Sequence, residues 1–237
     1  MTLEHRDWDS KFFGYPVASA SFRATPSLLD IQTVLREARC GKIRLLYLFL
    51  PPIAASFRTA IEHAGARSVG QKVEYAKPVG GPAATTFGKH IAPCRDNSPR
   101  LEHLALQSGT HSRFFLDPGF QQREFERLYW EWLTASLRGD DGKQVYVAGS
   151  AAEPLGLVTV EPGPVARIGL LAVDAAQRGH GLGHQLMAAA EYFCVQRHIA
   201  ELHVATQASN RGACHFYDTC GFTRISEIDI FHVWFTP

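Results

Sequence analysis

The stretch Ile168 to Met187, IGLLAVDAAQRGHGLGHQLM, limits what this chain can become more than any other. A run of small and apolar residues enters Gln177-Arg178-Gly179-His180-Gly181-Leu182-Gly183. An amphipathic helix follows, with Leu186, Met187, Ala190, Phe193 and Cys194 on its inner face. Three glycines thus stand where a strand turns into a helix. Glycine takes positive φ and lets a ligand approach the backbone closely. Successive N–H groups at the helix start, backed by the helix dipole, suit a phosphate or pyrophosphate. A Walker loop is excluded, because Gly183-His184-Gln185 lacks the required Lys-Ser/Thr ending. A dinucleotide fingerprint has an acid, Glu201, at a tolerable distance. The G-x-G-x-G spacing and the hairpin-like strands before it fit that motif poorly. A coenzyme A pyrophosphate site, or a turn that only packs helix on strand, stays open on the glycines alone.

The chain around this turn reads as two α/β units. In residues 1–80, strands are expected at Tyr15–Phe22, Ile43–Leu50 and Val69–Lys77. Helices are expected at Ser27–Arg39, with Ser27 as N-cap, and at Ala54–Ala64, stopped by Gly65. Residues 81–99, rich in Pro and Gly, are the expected linker. In residues 100–237, Leu101–Ser108 and Gln122–Leu137 are helical, and an aromatic loop, His111–Phe120, lies between them. Strands follow at Gln144–Ala148, Leu155–Glu161 and Ala166–Val173. After the helix Gly183–Arg197 come strand Ala200–Gln207, helix Asn210–Cys220 and strand Arg224–Phe235. No internal repeat at a fixed period is visible, though two units of this kind can share a distant shape.

With 24 basic and 23 acidic residues, the chain has a formal charge of +1, which argues against nucleic acid or an anionic membrane as main partner. No apolar run approaches the roughly 20 residues that span a bilayer. The charged start, Met1 to Ser10, lacks a signal-peptide core, so a cytoplasmic location is expected. Five cysteines, an odd number with no CxxC, fit free thiols in a reducing compartment. No ligand spacing for a metal is present.

The pattern strand-Val173-Asp174-x-x-Gln177-Arg178-Gly-x-Gly-x-Gly-helix resembles the acyl-CoA-binding motif of the GNAT (Gcn5-related) N-acetyltransferase superfamily. Strand Leu202–Thr206, then Asn210, helix Gly212–Tyr217 and Cys220-Gly221-Phe222, resembles the closing pattern of that superfamily. The match covers about residues 100–235. Shorter stretches (Asp9 to Gly14, His111 to Phe114, Ala166 to Ala172, Val204 to Gln207) look like the dTDP-fucosamine acetyltransferases, a group within it. The resemblance implies an α/β (α+β) fold with a mixed, mostly antiparallel sheet flanked by helices, beside a smaller N-terminal α/β domain. It implies acetyl-CoA as donor and, from the narrower likeness, a nucleotide-linked amino sugar of the dTDP-4-amino-4,6-dideoxygalactose type as acceptor. Another small amine or a peptide terminus as acceptor, or a non-catalytic acyl-CoA sensor, is the alternative. A homodimer is left open.

In the implied fold two parallel strands splay at the donor site. The backbone of Leu171, Ala172 and Val173 would pair with the pantetheine arm, and one N–H would face the thioester oxygen. Gln177, Arg178, Gly179, His180, Gly181, Leu182 and Gly183 would hold the pyrophosphate, with Asn210 and Phe216 beside the arm. By resemblance, Tyr217 is the general acid for the sulfur. No carboxylate stands on the strand Ile168–Val173, where many relatives keep a base. Glu161, Asp117, His111 and Glu74 are the rim candidates. Arg113, Phe114, Asp117 and Tyr75 are expected to bind the acceptor, Arg113 at a diphosphate and the aromatics at a ring.

Overall fold

The computed structural model describes residues 3–80, 88, 90–121, 123–150 and 152–236. Ten strands form one mixed sheet. The first half of the chain gives β1 (Glu4–His5), α1 (Asp7–Phe13), β2 (Val17–Ser21), α2 (Leu28–Cys40), β3 (Leu45–Leu50), α3 (Ala55–His63) and β4 (Arg67–Pro78). The second half opens with β5 (Ile91–Cys94), α4 (Pro99–Ser108), α5 (Arg113–Leu116), α6 (Glu124–Arg138), β6 (Gln144–Gly149) and β7 (Pro154–Glu161). It closes with β8 (Ala166–Val173), α7 (Leu182–Gln196), β9 (Glu201–Gln207), α8 (Arg211–Thr219) and β10 (Thr223–Trp234). The expected linker lies partly outside the described residues. Residues 91–94 of it form β5 at the sheet edge, paired with β6.

The strand order is β1-β2-β3-β10-β4-β9-β8-β7-β6-β5. Pairing is antiparallel except for β2 with β3 and β8 with β9, which are parallel and joined by crossover helices. The units expected at 1–80 and 100–237 therefore share a single sheet. Each contains the same run of strand, helix, strand, helix, strand: β2-α2-β3-α3-β4 and β8-α7-β9-α8-β10. Their third strands are exchanged. β10 of the second unit lies on β3, β4 of the first lies on β9, and β4 and β10 pair antiparallel at the centre.

Side-chain alternation divides the helices between the two faces. Leu46, Leu48 and Leu50 pack with Ile31, Val34 and Ile61 from α2 and α3. On the same face Val73, Ile168, Leu202 and Val204 pack with Leu186, Ala190 and Phe193 of α7 and Tyr217 of α8. The opposite face takes Leu157, Leu170 and Ala172 against α4 and α6, and Leu45 and Tyr47 against Phe13 and Phe114.

The exchange is held by a buried charge. Asp229 of β10 has no solvent exposure. It accepts hydrogen bonds from the Ile53 N–H (3.0 Å) and Gln71 Nε2 (3.1 Å), and pairs with Arg58 of α3 at 2.9 Å. One carboxylate of the second unit thus ties together a helix, a loop and a strand of the first. Replacing it leaves a buried N–H and a half-buried guanidinium without their partner. Asp229→Ala should lower stability by about 3 kcal/mol in urea unfolding, whereas the exposed Glu62→Ala should change little.

Candidate active site

Strands β8 and β9 pair in register only at Ala166↔Leu202, Arg167↔His203 and Ile168↔Val204. Beyond Ile168 they part. The gap opens into a groove of about 590 Å3 lined by Leu171, Ala172, Val173, Gln177, Arg178, Gly179, Gly181, Leu182, Gly183, Asn210, Phe216 and Tyr217. Gln107 and Ser108 at the end of α4, with Thr110 and His111 just beyond it, close its far side. His180, expected among the binding residues, has an exposed side chain and does not line the groove.

The start of α7 differs from the starts of α2, α4 and α8, where Ser27, Ser98 and Asn210 cap with their side chains. Gly181 takes the N-cap place with no side-chain cap, and the first turn holds no acid. The N–H groups and the positive end of the dipole are left for an anion. The three glycines act differently. Gly179 and Gly181 sit at φ +81° and +78°, and a Cβ at either would meet nothing within 4 Å. Gly183 serves packing, since a Cβ there would lie 3.0 Å from the Phe216 ring. Arg178 Nε donates to the Val173 carbonyl (3.2 Å), which places its cation at the same end. Asp174 caps the following turn and pairs with Arg100 of α4 at 2.6 Å, fixing the loop. A diphosphate at this helix start, with a slender amide-bearing arm between the parted strands, fits the residues present.

Tyr217 is buried, yet its side chain lines the groove. Burial, with Cys220, Cys214 and Tyr75 nearby, pushes its hydroxyl well above the ordinary phenol range. It is therefore protonated at neutral pH and able to donate. Tyr75, expected at the acceptor, lies instead 5.7 Å from the Tyr217 ring within the core. Burial and a hydrogen bond with Cys214 push its own pKa to about 12. It packs Tyr217 from the β4 side.

Of the aromatic loop, Arg113, Phe114 and Asp117 pack inward while Phe115 stays exposed, which corrects the acceptor expectation for those three residues. Arg113 lies 4.0 Å over the Tyr47 ring and 4.5 Å over Phe114, and burial lowers its pKa. Phe114 is in the core beside Phe13 and Leu128. Asp117 is fully buried, 2.6 Å from His232 Nδ1 and 2.8 Å from Trp234 Nε1, and so serves neither acceptor nor base. The density of aromatic residues that suggested a stacking pocket fills the space between α5, α6 and β3. Of the remaining base candidates, His111 lines the groove, while Glu74 accepts from Arg167 (2.5 Å) and lies 3.4 Å from His203. Glu161 lies against the other side of β8.

These features define a class: an α/β protein whose splayed parallel strands and uncapped glycine turn open one groove suited to an anion and a slender arm. Residues 105–222, about half of the chain, match the model of the acetyltransferase (GNAT) family. The chain carries a domain of that superfamily, whose members use acetyl-CoA. A streptothricin acetyltransferase of Escherichia coli is 34% identical over 67 residues, 28% of this chain and 38% of that protein. The chain thus matches well under half the length of that relative.

Solved structures share the fold. A conserved protein of unknown function from Staphylococcus epidermidis superposes with a TM-score of 0.64 at 14% identity, covering 94% of this chain and 85% of its own. A GCN5-related N-acetyltransferase from Sphaerobacter thermophilus gives 0.57 at 18% identity, over 93% and 74%. A tandem GNAT protein from the clavulanic acid biosynthesis pathway gives 0.53 at 15%, over 94% and 77%.

Two measurements follow from this geometry. Gly181→Trp puts a side chain where the anion would lie and forces a bulky residue to positive φ. Calorimetry should show one acetyl-CoA site per chain in the parent and an affinity at least about tenfold weaker in the variant. The second concerns His232. Burial lowers its pKa to about 4, against the opposing pull of Asp117. The unfolded chain then binds the extra proton below about 6.5. Stability contributed by the neutral ring is complete above that value and is lost as pH falls toward 4. His232→Gln should flatten the dependence of urea unfolding on pH across that window.

Proposed function

We propose that this chain is an acetyl-CoA-dependent N-acetyltransferase acting on the amine of a small molecule. One observation carries the reading. An uncapped helix start, the unpaired edges of two parting strands and the Tyr217 side chain converge on a single groove. The bound donor supplies an activated acetyl thioester and the diphosphate that anchors it. The N–H groups at 181–183, with Arg178, hold the diphosphate end. The exposed backbone edge of Leu171 to Val173 aligns the arm as an added strand would, and an N–H there faces the thioester oxygen. Tyr217 gives a proton to the departing sulfur. Much of the rate comes from holding two reactants in line.

The acceptor is stated only by its class. A nucleotide-linked amino sugar was implied by the narrower likeness, with Arg113, Phe114 and Asp117 expected to bind it, and those side chains pack into the interior. The general statement, a primary amine on a small molecule, is retained.

The test is release of free thiol from acetyl-CoA in the presence of a panel of amines. Tyr217→Phe should bind acetyl-CoA with unchanged affinity and lose about 100-fold in kcat. Donor binding by the parent protein without turnover on any amine would instead identify an acyl-CoA sensor.

A further inference from the structure

Strand β8 has a second hollow against its other side. A cavity of about 550 Å3 lies between the sheet and the C-terminal half of α6, with Trp8 of α1 at its edge. Thr159, Glu161, Gly169 and Leu170 form its floor, and Trp132 lies in its wall. Leu170 lines this cavity and Leu171 the donor groove, so consecutive residues of β8 border the two hollows from opposite faces. A reactant placed here approaches β8 from the face that α7 and α8 leave free.

The lining decides what it can hold. Glu131, Asp140, Asp141 and Glu161 contribute four carboxylates against two cations, Arg138 and Lys143. Arg138 is spent on Asp140 (2.7 Å) and Glu131 (3.4 Å), and Lys143 lies 3.5 Å from Glu161. Asp141 has no ion pair among the described residues and is held at φ +53° beside the cavity. Tryptophan faces add attraction for cations. The surplus of two negative charges repels a diphosphate and favours a multiply charged amine.

We propose that this cavity is the acceptor chamber, and that it takes small molecules with two or more amino groups. One amine reacts at β8 while another stays charged against Asp141, Glu161 and the tryptophans. The proposal rests on the N-acetyltransferase reading above. In the step, the reacting ammonium first loses one proton to solvent. Its nitrogen then bonds the acyl carbon as the carbon–sulfur bond breaks, and the nitrogen sheds a second proton. The sulfur takes one proton from Tyr217, which regains it from solvent. The products are an amide, a thiol and one released proton.

The test uses spermidine, 1,4-diaminobutane, butylamine and a dTDP-linked 4-amino sugar, with the full chain. Thiol release should be most efficient with spermidine and 1,4-diaminobutane. Glu161→Gln and Asp141→Asn should each raise KM for spermidine about tenfold while the affinity for acetyl-CoA stays unchanged. Preference for butylamine or the nucleotide sugar, or an unchanged spermidine KM in both variants, would overturn the chamber. Calorimetry of spermidine with the coenzyme A-loaded protein reads the chamber without turnover. Binding weakened by both substitutions but without thiol release keeps the chamber and overturns the transferase. Turnover of other amines with no spermidine binding overturns the chamber alone, and failure of both readouts overturns both.

Discussion

The parting of β8 and β9 after Ile168↔Val204 is the constraint on which the site depends. Two parallel strands in a buried sheet normally stay paired, because an unpaired buried N–H or C=O is costly. Here β8 is bent by an extra residue. Val158 faces Leu171 and Val160 faces Ile168, so three steps of β8 answer two of β7. The Leu170 N–H is satisfied by the Thr159 hydroxyl at 2.8 Å instead of by a strand. Gly169 makes this arrangement possible, since a Cβ there would lie 2.7 Å from that hydroxyl. On the other side β9 is held by β4 through seven register pairs, from Lys72 to Pro78. The gap is therefore built into the sheet.

The first unit shows what happens when the same elements lack that device. β2 and β3 pair at every step from Val17↔Leu45 to Ser21↔Phe49. The start of α2 is closed by a reciprocal capping box between Ser27 and Asp30, which also places a carboxylate where a phosphate would have to sit. A zipped strand pair and an acid-capped helix give neither a slot nor an anion site. This unit instead supplies β4 to the second unit and accepts β10 in return.

Local features were legible in the sequence. The Ser27 cap, the glycine turn and the order of elements around Asn210 and Tyr217 each depend on neighbours in the chain. The exchange of third strands was not, because Val69–Lys77 and Arg224–Phe235 look like any long amphipathic strand until their partners are known. The aromatic loop shows the same ambiguity in side chains. Phe114 and Phe120 read alike whether they stack on a ligand or fill a core, and Asp117 became interior only through His232 and Trp234, more than a hundred residues away. The hollow under α6 gathers residues far apart in sequence, Trp8 and Trp132 among them, so no local pattern marks it.

The strand exchange also bears on the carboxylate that β8 lacks. β8 presents Arg167, and negative charge reaches its start from both sides. Glu161 of β7 is the register partner of Arg167, and Glu74, brought in on the exchanged β4, accepts its hydrogen bond. The two acids are not equivalent. Burial works to raise the Glu74 pKa, but Arg167, Lys72 and His203 outweigh it and hold the carboxyl below its usual range, committed to its partners. Glu161 faces a single lysine at 3.5 Å, is 39% exposed at its side chain, and lies within the α6 cavity. Of the two acids, Glu161 is thus the one left facing the α6 cavity, while Glu74 keeps Arg167 from neutralising it.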